Sequence, residues 1–64
     1  MKRKDLIAWL IIHGCLLDRE GKKHTLYYNP QNGKSSTVPR HSEVNTFTAK
    51  GICKDLEIPV IKIK

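Results

Sequence analysis

Apolar residues recur with a helical period near the amino end of the chain. Four of them fall at the i, i+1, i+4 and i+5 positions that share one helix face: Leu6, Ile7, Leu10 and Ile11. Gly14 follows this run, at a position where helices commonly end. Trp9 and Ile12 widen the apolar surface beyond an ordinary stripe. We therefore predict a first helix over residues 4–13.

The middle of the chain is rich in residues that favour strands, and turn residues divide it into three segments. A run that is first apolar and then charged predicts a strand over residues 15–19. Residues 24–29 carry two tyrosines and predict a second strand, and residues 34–38 predict a third. The Pro-Gln-Asn-Gly segment at residues 30–33 is typical of a hairpin turn. These features predict three antiparallel strands.

A second helix is predicted after the strands. Asn45 or Thr46 can cap its start, and it runs to about Leu56, before Pro59. The order of elements predicts an α+β fold of two layers, with both helices on one face of a three-stranded antiparallel sheet. The other face remains open, and residues 1–64 form a single domain. The alternating segment 59–64 predicts either an edge strand or a frayed end.

The net charge of the chain indicates the kind of partner that it binds. The 64 residues include 12 Lys plus Arg against 6 Asp plus Glu, a net charge of +6. A chain of this length buries one thin core, which excludes a second domain and a deep substrate cavity. The positive charge predicts an anionic partner, RNA or an acidic protein surface, at the open sheet face. No apolar run approaches the roughly 20 residues that span a membrane, so no membrane partner is predicted.

The amino end and the cysteines limit the cellular setting. The basic start followed by an apolar run imitates a signal peptide, but Asp5 interrupts the junction and no cleavage site follows. Cys15 and Cys53 form no Cys-X-X-Cys motif, so we predict reduced, buried thiols and a cytoplasmic protein, with a disulfide left as the alternative. The cysteines and histidines lack metal-ligand spacing, so no metal site or cofactor is predicted.

Three short segments, in a fixed order, carry a resemblance to a known family. They are Lys-Asp-Leu-Ile-Ala-Trp-Leu-Ile-Ile-His-Gly at 4–14, Gly-Lys-Lys-His at 21–24 and Thr-Val-Pro-Arg-His at 37–41. In this order the chain resembles the HicA toxins of toxin–antitoxin systems, up to Pro59. The segments correspond to that family's first helix, its Gly-Ser-X-His motif and its Val-Pro-X-His segment. The resemblance implies a fold like that of a double-stranded RNA-binding domain.

The resemblance also implies an activity and a partner. It implies metal-independent cleavage of mRNA with His24 as the catalytic residue, and inhibition by a HicB-type antitoxin that covers the sheet face. The chain departs from the family pattern at several positions. Lys22 replaces the usual Ser, a single His stands where many members have two in a row, and Glu57 stands where Gly is common.

The chemistry of RNA cleavage fits the residues around His24. A base must take the proton of the ribose 2′-hydroxyl, and cations must stabilise the charge that develops on the phosphate. Imidazole can act as that base near neutral pH, and Lys22 and Lys23 beside it favour its neutral form. The donor of the second proton stays open among Lys22, Tyr28 and His41, or His24 performs both transfers in turn. The competing interpretation of His24 is an exposed polar residue at the start of a strand.

The residues predicted to bind RNA lie on loops and strand ends. They are Lys22, Lys23, Tyr28, Lys34 and Arg40. The cations would contact phosphates, although an ordinary solvated surface would have the same composition. If His24 faces outward, Leu26 and Tyr28 share its face, and the Tyr28 ring could stack on a base. The rival functions are a non-catalytic RNA-binding module and a protein-interaction domain that meets an acidic partner.

Overall fold

The computed structural model describes residues 1–61, which form one sheet covered by two helices. The elements in chain order are α1 (Arg3–Ile12), β1 (Leu16–Glu20), β2 (His24–Asn29), β3 (Lys34–Pro39) and α2 (Thr46–Asp55). The strands lie in the order β1-β2-β3, and both neighbouring pairs are antiparallel. The predicted α+β layout of helix, three strands and helix is therefore confirmed. No helix within residues 1–61 is long and apolar enough to cross a membrane.

The ends of the helices follow from local backbone chemistry. Gly14 adopts a positive φ of 85° after α1, and its N–H donates to the Ile11 carbonyl at 3.0 Å. The next N–H, that of Cys15, donates to the Leu10 carbonyl at 2.9 Å, which completes a Schellman motif. The helix begins at Arg3 and ends at Ile12, each one residue before the predicted limit, and Gly14 terminates it as predicted.

The second helix shows which of two predicted caps is used. The side-chain oxygen of Asn45 accepts a hydrogen bond from the Phe47 N–H at 2.8 Å, so Asn45 is the N-cap and Thr46 begins the helix. At the other end, Glu57 has a positive φ of 55° and occupies the position that Gly14 holds after α1. The predicted tail strand is absent from residues 59–61, and residues 62–64 lie outside the described residues.

The two faces of the sheet differ in burial on β2 and β3, whereas all residues of β1 are exposed. On β2, Thr25, Tyr27 and Asn29 are buried against the helices, whereas His24, Leu26 and Tyr28 lie on the opposite face. The buried apolar residues come from every layer and form one cluster: Leu6, Leu10, Cys15, Tyr27, Val38, Val44, Ala49, Ile52, Cys53, Leu56 and Ile58. Both helices thus cover one face, and His24 lies on the open face together with Leu26 and Tyr28, which is the arrangement predicted for an outward His24.

The first strand contains an irregularity that the sequence did not predict. Leu17 pairs with Tyr27 and Arg19 pairs with Leu26, so Asp18 is an extra residue in a β-bulge. The bulge changes the phase of the strand, because side chains alternate between faces with a period of two. Arg19 consequently lies on the open face. The predicted strand at 15–19 is displaced by one residue, to Leu16–Glu20.

Polar side chains join the helices to the two ends of the sheet. At one end, the side-chain amides of Asn29 and Asn32 donate to the Leu56 carbonyl at 2.9 and 3.1 Å. At the other end, the Arg3 guanidinium donates to the Pro39 carbonyl at 2.8 Å and to the Thr25 hydroxyl at 3.0 Å. These bonds fix where each helix terminus sits, and the Arg3 end is the end at which His24 begins β2.

Candidate nucleic-acid interface

His24 occupies an exposed corner of the open sheet face. It is the first residue of β2 and lies opposite Pro39 of β3. The preceding turn is tight, because the Gly21 N–H donates to the His24 carbonyl at 2.8 Å. A Cβ atom at Gly21 would lie 3.0 Å from that same oxygen, so glycine permits this close approach. The turn therefore holds the backbone of His24 while the imidazole remains open to solvent.

Arg40 braces the turn that carries the two predicted lysines. Its guanidinium donates to the Glu20 carboxylate and to the Gly21 carbonyl. Lys22 and Lys23 are exposed in this turn, directly before His24. Four of the six predicted site residues are thus brought to one end of the sheet: Lys22, Lys23, His24 and Arg40. The Glu20 carboxylate balances part of the positive charge of Arg40. Arg40 therefore contributes to this end of the sheet mainly by holding the turn in place.

The other two predicted RNA-binding residues lie elsewhere. Tyr28 is half-buried on the same face as His24, but four residues along an extended strand place it about 13 Å away. Lys34 begins β3 at the opposite end of the sheet, and its ammonium nitrogen is 4.0 Å from the Glu57 carboxylate. The six residues therefore do not form a single cluster.

Two arginines near this end of the sheet were missed by the sequence analysis. Arg19 is exposed on the open face opposite Leu26, so it is a diagonal cross-strand neighbour of the His24 position, about 7–8 Å away at the backbone. The bulge put it there, and no sequence signal marked the bulge. Arg3 is half-buried and binds Thr25 and Pro39. In the sequence, Arg3 is marked only by the basic run at residues 2–4, which was interpreted as an imitation of the start of a signal peptide.

The remaining candidate groups lie away from this interface. The His13 ring packs against Trp9 with ring centres 4.4 Å apart, at the C-cap of α1. Cys15 and Cys53 are buried and free, so the disulfide alternative is not realised. Burial, together with the nearby Cys53 thiol, raises the pKa of the Cys15 thiol. Residues 1–61 contain no cluster of three or more His, Cys, Asp or Glu side chains that could hold a metal ion.

The geometry can be compared with known proteins. No curated protein and no solved structure matches the chain significantly. The model of one protein family, described as the HicA toxin of bacterial toxin–antitoxin systems, matches residues 3–58. The matched segment begins with α1 and continues to Ile58, just past α2, so it includes the whole sheet and the turn before His24. The chain therefore belongs to the HicA toxin family.

Proposed function

We propose that this toxin is a metal-independent ribonuclease that cleaves mRNA, with His24 as its catalytic acid and base. The observation that supports the proposal is the position of His24. It is exposed on the sheet face that neither helix covers, directly after a turn that carries Lys22 and Lys23. A histidine with a role only in folding would not need an exposed side chain, a backbone fixed by a turn and adjacent cations.

The cleavage follows from the positions of the proton and the charge. The neutral imidazole of His24 accepts the proton of a ribose 2′-hydroxyl, and the 2′-oxygen forms a bond to the adjacent phosphorus. The bond from phosphorus to the 5′-oxygen breaks, which gives a 2′,3′-cyclic phosphate and a 5′-hydroxyl end. Arg19, Lys22 and Lys23 supply the cations that stabilise negative charge on the phosphate during this exchange.

The departing 5′-oxygen must receive a proton. Tyr28 lies too far along β2 to serve the same phosphate easily, about 13 Å from His24 at the backbone. Lys22 lies in the turn two residues before His24, and His41 is exposed two residues after Pro39, which pairs with His24. Return of the proton by His24 itself requires no second group. Tyr28 is better placed to stack on a neighbouring base.

The catalytic role of His24 can be tested with a substitution that preserves the shape of the site. His24→Gln should lower the rate of cleavage of a single-stranded RNA by about 10²–10⁴-fold, because a positioned acid–base group contributes that much. The assay is run with a chelator, since the proposal needs no metal. The thermal unfolding midpoint should stay unchanged, because the His24 side chain is exposed.

The matched control is His13→Gln, which changes a histidine at the C-cap of α1, away from the open face. This variant should keep the cleavage rate. Undiminished cleavage by the His24 variant would refute the catalytic role. Binding of RNA by the wild type without any cleavage would identify the chain as an RNA-binding module instead.

A further inference from the structure

A basic cleft lies at the amino end of α1, next to the loop that follows β3. It has a volume of about 510 Å³ and is lined by Lys2, Arg3, Lys4, Arg40, Ser42 and Glu43. Four of these six residues are cationic and one is acidic. Neither Lys2 nor Lys4 nor Ser42 has a role in the cleavage proposed above. The cleft is therefore a second concentration of positive charge, distinct from the Lys22–Lys23 turn.

The fold holds this cleft in a fixed shape. The Arg3 N–H donates to the Ser42 carbonyl at 2.8 Å, and Lys2 forms a backbone bridge with Glu43. The side chain of Arg3 is bound on its inner side by Pro39 and Thr25, as described above. The backbone segments that carry these cations are consequently held close together. An anion that enters between the cations relieves the repulsion between their charges.

The carboxylates of Glu43 and Glu20 pair with cations other than the two lysines of the cleft. The Glu43 carboxylate is 3.5 Å from the amino nitrogen of Met1, and the Glu20 carboxylate is bound by Arg40. Within residues 1–61, no hydrogen bond or ion pair occupies the ammonium groups of Lys2 and Lys4. Helix α1 also begins without a side-chain cap, and the Asp5 carboxylate in its first turn offsets part of the positive charge of this helix end.

We propose that this cleft binds a phosphate group of the RNA strand, at a nucleotide other than the one that is cleaved. The inference rests on the proposed ribonuclease function and extends it. Arg3 bonds to Thr25, which points to the helix-covered face, whereas the adjacent His24 points to the open face. Cleft and imidazole therefore share one end of the sheet but lie on opposite sides of it, so one phosphate cannot occupy both.

Arg40 connects the two sites. It lines the cleft and also binds the carbonyl of Gly21, in the turn that leads to His24. An RNA strand that passes over this end of the sheet would place one phosphate at His24 and another between Lys2 and Lys4. The contact between the cleft and its phosphate is the same in the ground state and in the transition state of cleavage. It should therefore lower KM and leave kcat almost unchanged.

The test compares two double variants that remove the same charge. Lys2→Ala/Lys4→Ala removes the exposed ammonium groups of the cleft, and Lys50→Ala/Lys54→Ala removes two exposed lysines of α2 that do not line it. Both are made on a His24→Gln background, so that a labelled single-stranded RNA stays intact. Binding is measured by fluorescence anisotropy over a series of salt concentrations.

The cleft variant should bind the RNA about tenfold more weakly, and its log–log salt slope should be shallower by roughly 1.4, the value for two lost contacts to a single strand. The α2 variant should change the affinity by less than about twofold. Equal losses in the two variants would mean that only net charge matters, and would overturn the cleft while leaving ribonuclease activity intact.

A second probe separates the cleft from the ribonuclease function. Inorganic pyrophosphate is titrated into the wild type while amide NMR signals are recorded. The signals of residues 2–4, Arg40 and Ser42 should move, and they should not move in the Lys2→Ala/Lys4→Ala variant. These shifts without any RNA binding would refute the proposed ribonuclease and overturn the assignment of the cleft to a phosphate of RNA. Shifts spread over all exposed lysines would overturn the cleft.

Discussion

Glu57 closes α2 in a backbone conformation that L-amino acids seldom adopt. Its N–H donates to the Lys54 carbonyl at 3.1 Å, and the N–H of Ile58 donates to that of Cys53 at 3.0 Å. The same two hydrogen bonds end α1, where Gly14 holds the left-handed position. A side chain in this conformation costs about 1–2 kcal/mol. The exposed pair between Glu57 and Lys34 returns at most about 1 kcal/mol.

Replacing Glu57 with glycine should therefore stabilise the protein. We expect Glu57→Gly to raise the free energy of unfolding by up to about 1 kcal/mol, because the relief of strain exceeds the added flexibility of the unfolded chain. Gly14→Ala is the matched control and should lower that free energy by at least about 1 kcal/mol. Urea unfolding measures both. A Glu57→Gly variant less stable than the wild type would show that the pair with Lys34 dominates.

The buried thiol of Cys15 makes stability depend on pH in the alkaline range. Burial and the neighbouring Cys53 raise its pKa above the usual 9.0, so the unfolded chain loses this proton first as the pH rises. The contribution of this thiol to the free energy of unfolding should hence be fully present below pH 9.0. Above pH 9.0 the free energy of unfolding should decrease, until the thiol of the folded protein also ionises. Urea unfolding of Cys15→Ala, which lacks the thiol, should show a smaller alkaline decrease. An identical decrease would assign the effect to other groups.

At the scale of elements, the hairpin between β2 and β3 positions the end of α2. Asn29 is buried, and its amide donates to the Leu56 carbonyl at 2.9 Å while its oxygen accepts from the Gln31 N–H at 3.0 Å. Asn32 donates to the same Leu56 carbonyl at 3.1 Å from an exposed position. The turn thus satisfies a helix carbonyl that would otherwise lack a partner inside the helix.

Asn29→Ala should destabilise the protein by about 1–3 kcal/mol, since it removes two hydrogen bonds and leaves a buried carbonyl with one partner. Asn32→Ala also removes two hydrogen bonds, one to the Leu56 carbonyl and one from the Lys34 N–H, but the Asn32 side chain is exposed, so the loss should be smaller. Thermal and urea unfolding of the two variants test this order. Equal losses would mean that the turn conformation, and not the burial of Asn29, carries the effect.

Elements with strong local signals could be predicted from the sequence, and the others could not. The limits of β2 are those predicted, because the tyrosines and the Pro-Gln-Asn-Gly turn mark them. Gly14 likewise marks the end of α1, because a glycine is a strong local signal for the positive φ that ends a helix. The bulge at Asp18 depends on how β1 fits β2 across the sheet, which no local pattern reports. The predicted likeness to a double-stranded RNA-binding domain stays a prediction, as no solved structure matches the chain significantly.

The candidate site was predictable only where residues adjacent in sequence stay adjacent in space. Lys22, Lys23 and His24 are consecutive, so the sequence already grouped them. The contact of Arg40 with the turn joins segments about 20 residues apart and depends on the pairing of β2 with β3. Lys34 was grouped with the others by charge alone, and the structure places it at the far end of the sheet.

At the scale of the whole molecule, the separation of the two sheet faces limits where a partner can bind. Both helices are needed to cover one face, so the other face remains for RNA or for a protein. Membership of the HicA toxin family implies a toxin–antitoxin partner. We propose a HicB-type antitoxin that covers the open face and the Lys22–Lys23 turn. A standard interface of about 800 Å² per partner would cover nearly a fifth of the accessible surface of 4501 Å².

If the antitoxin acts by covering this face, modification of His24 by a histidine-selective reagent should be slower in the complex than in the free toxin. His13 lies at the C-cap of α1 and provides the internal control, whose modification rate should change less. Mass spectrometry of peptides from both samples measures the two rates. Equal rates at His24 in an inactive complex would place the inhibitory contact elsewhere on the toxin.

The bulge in β1 makes one position of that strand tolerant of a change in chain length. Asp18 is the unpaired extra residue, and the residues on either side of it keep their partners, Tyr27 and Leu26. Deletion of Asp18 would leave a regular ladder in which Arg19 still lies on the open face. Deletion of Leu17 would instead bring the Asp18 carboxylate opposite Tyr27, in place of a leucine that is half-exposed. A one-codon deletion at Asp18 would thus keep each paired residue of β1 with its partner, whereas one at Leu17 would exchange an apolar neighbour of Tyr27 for a carboxylate.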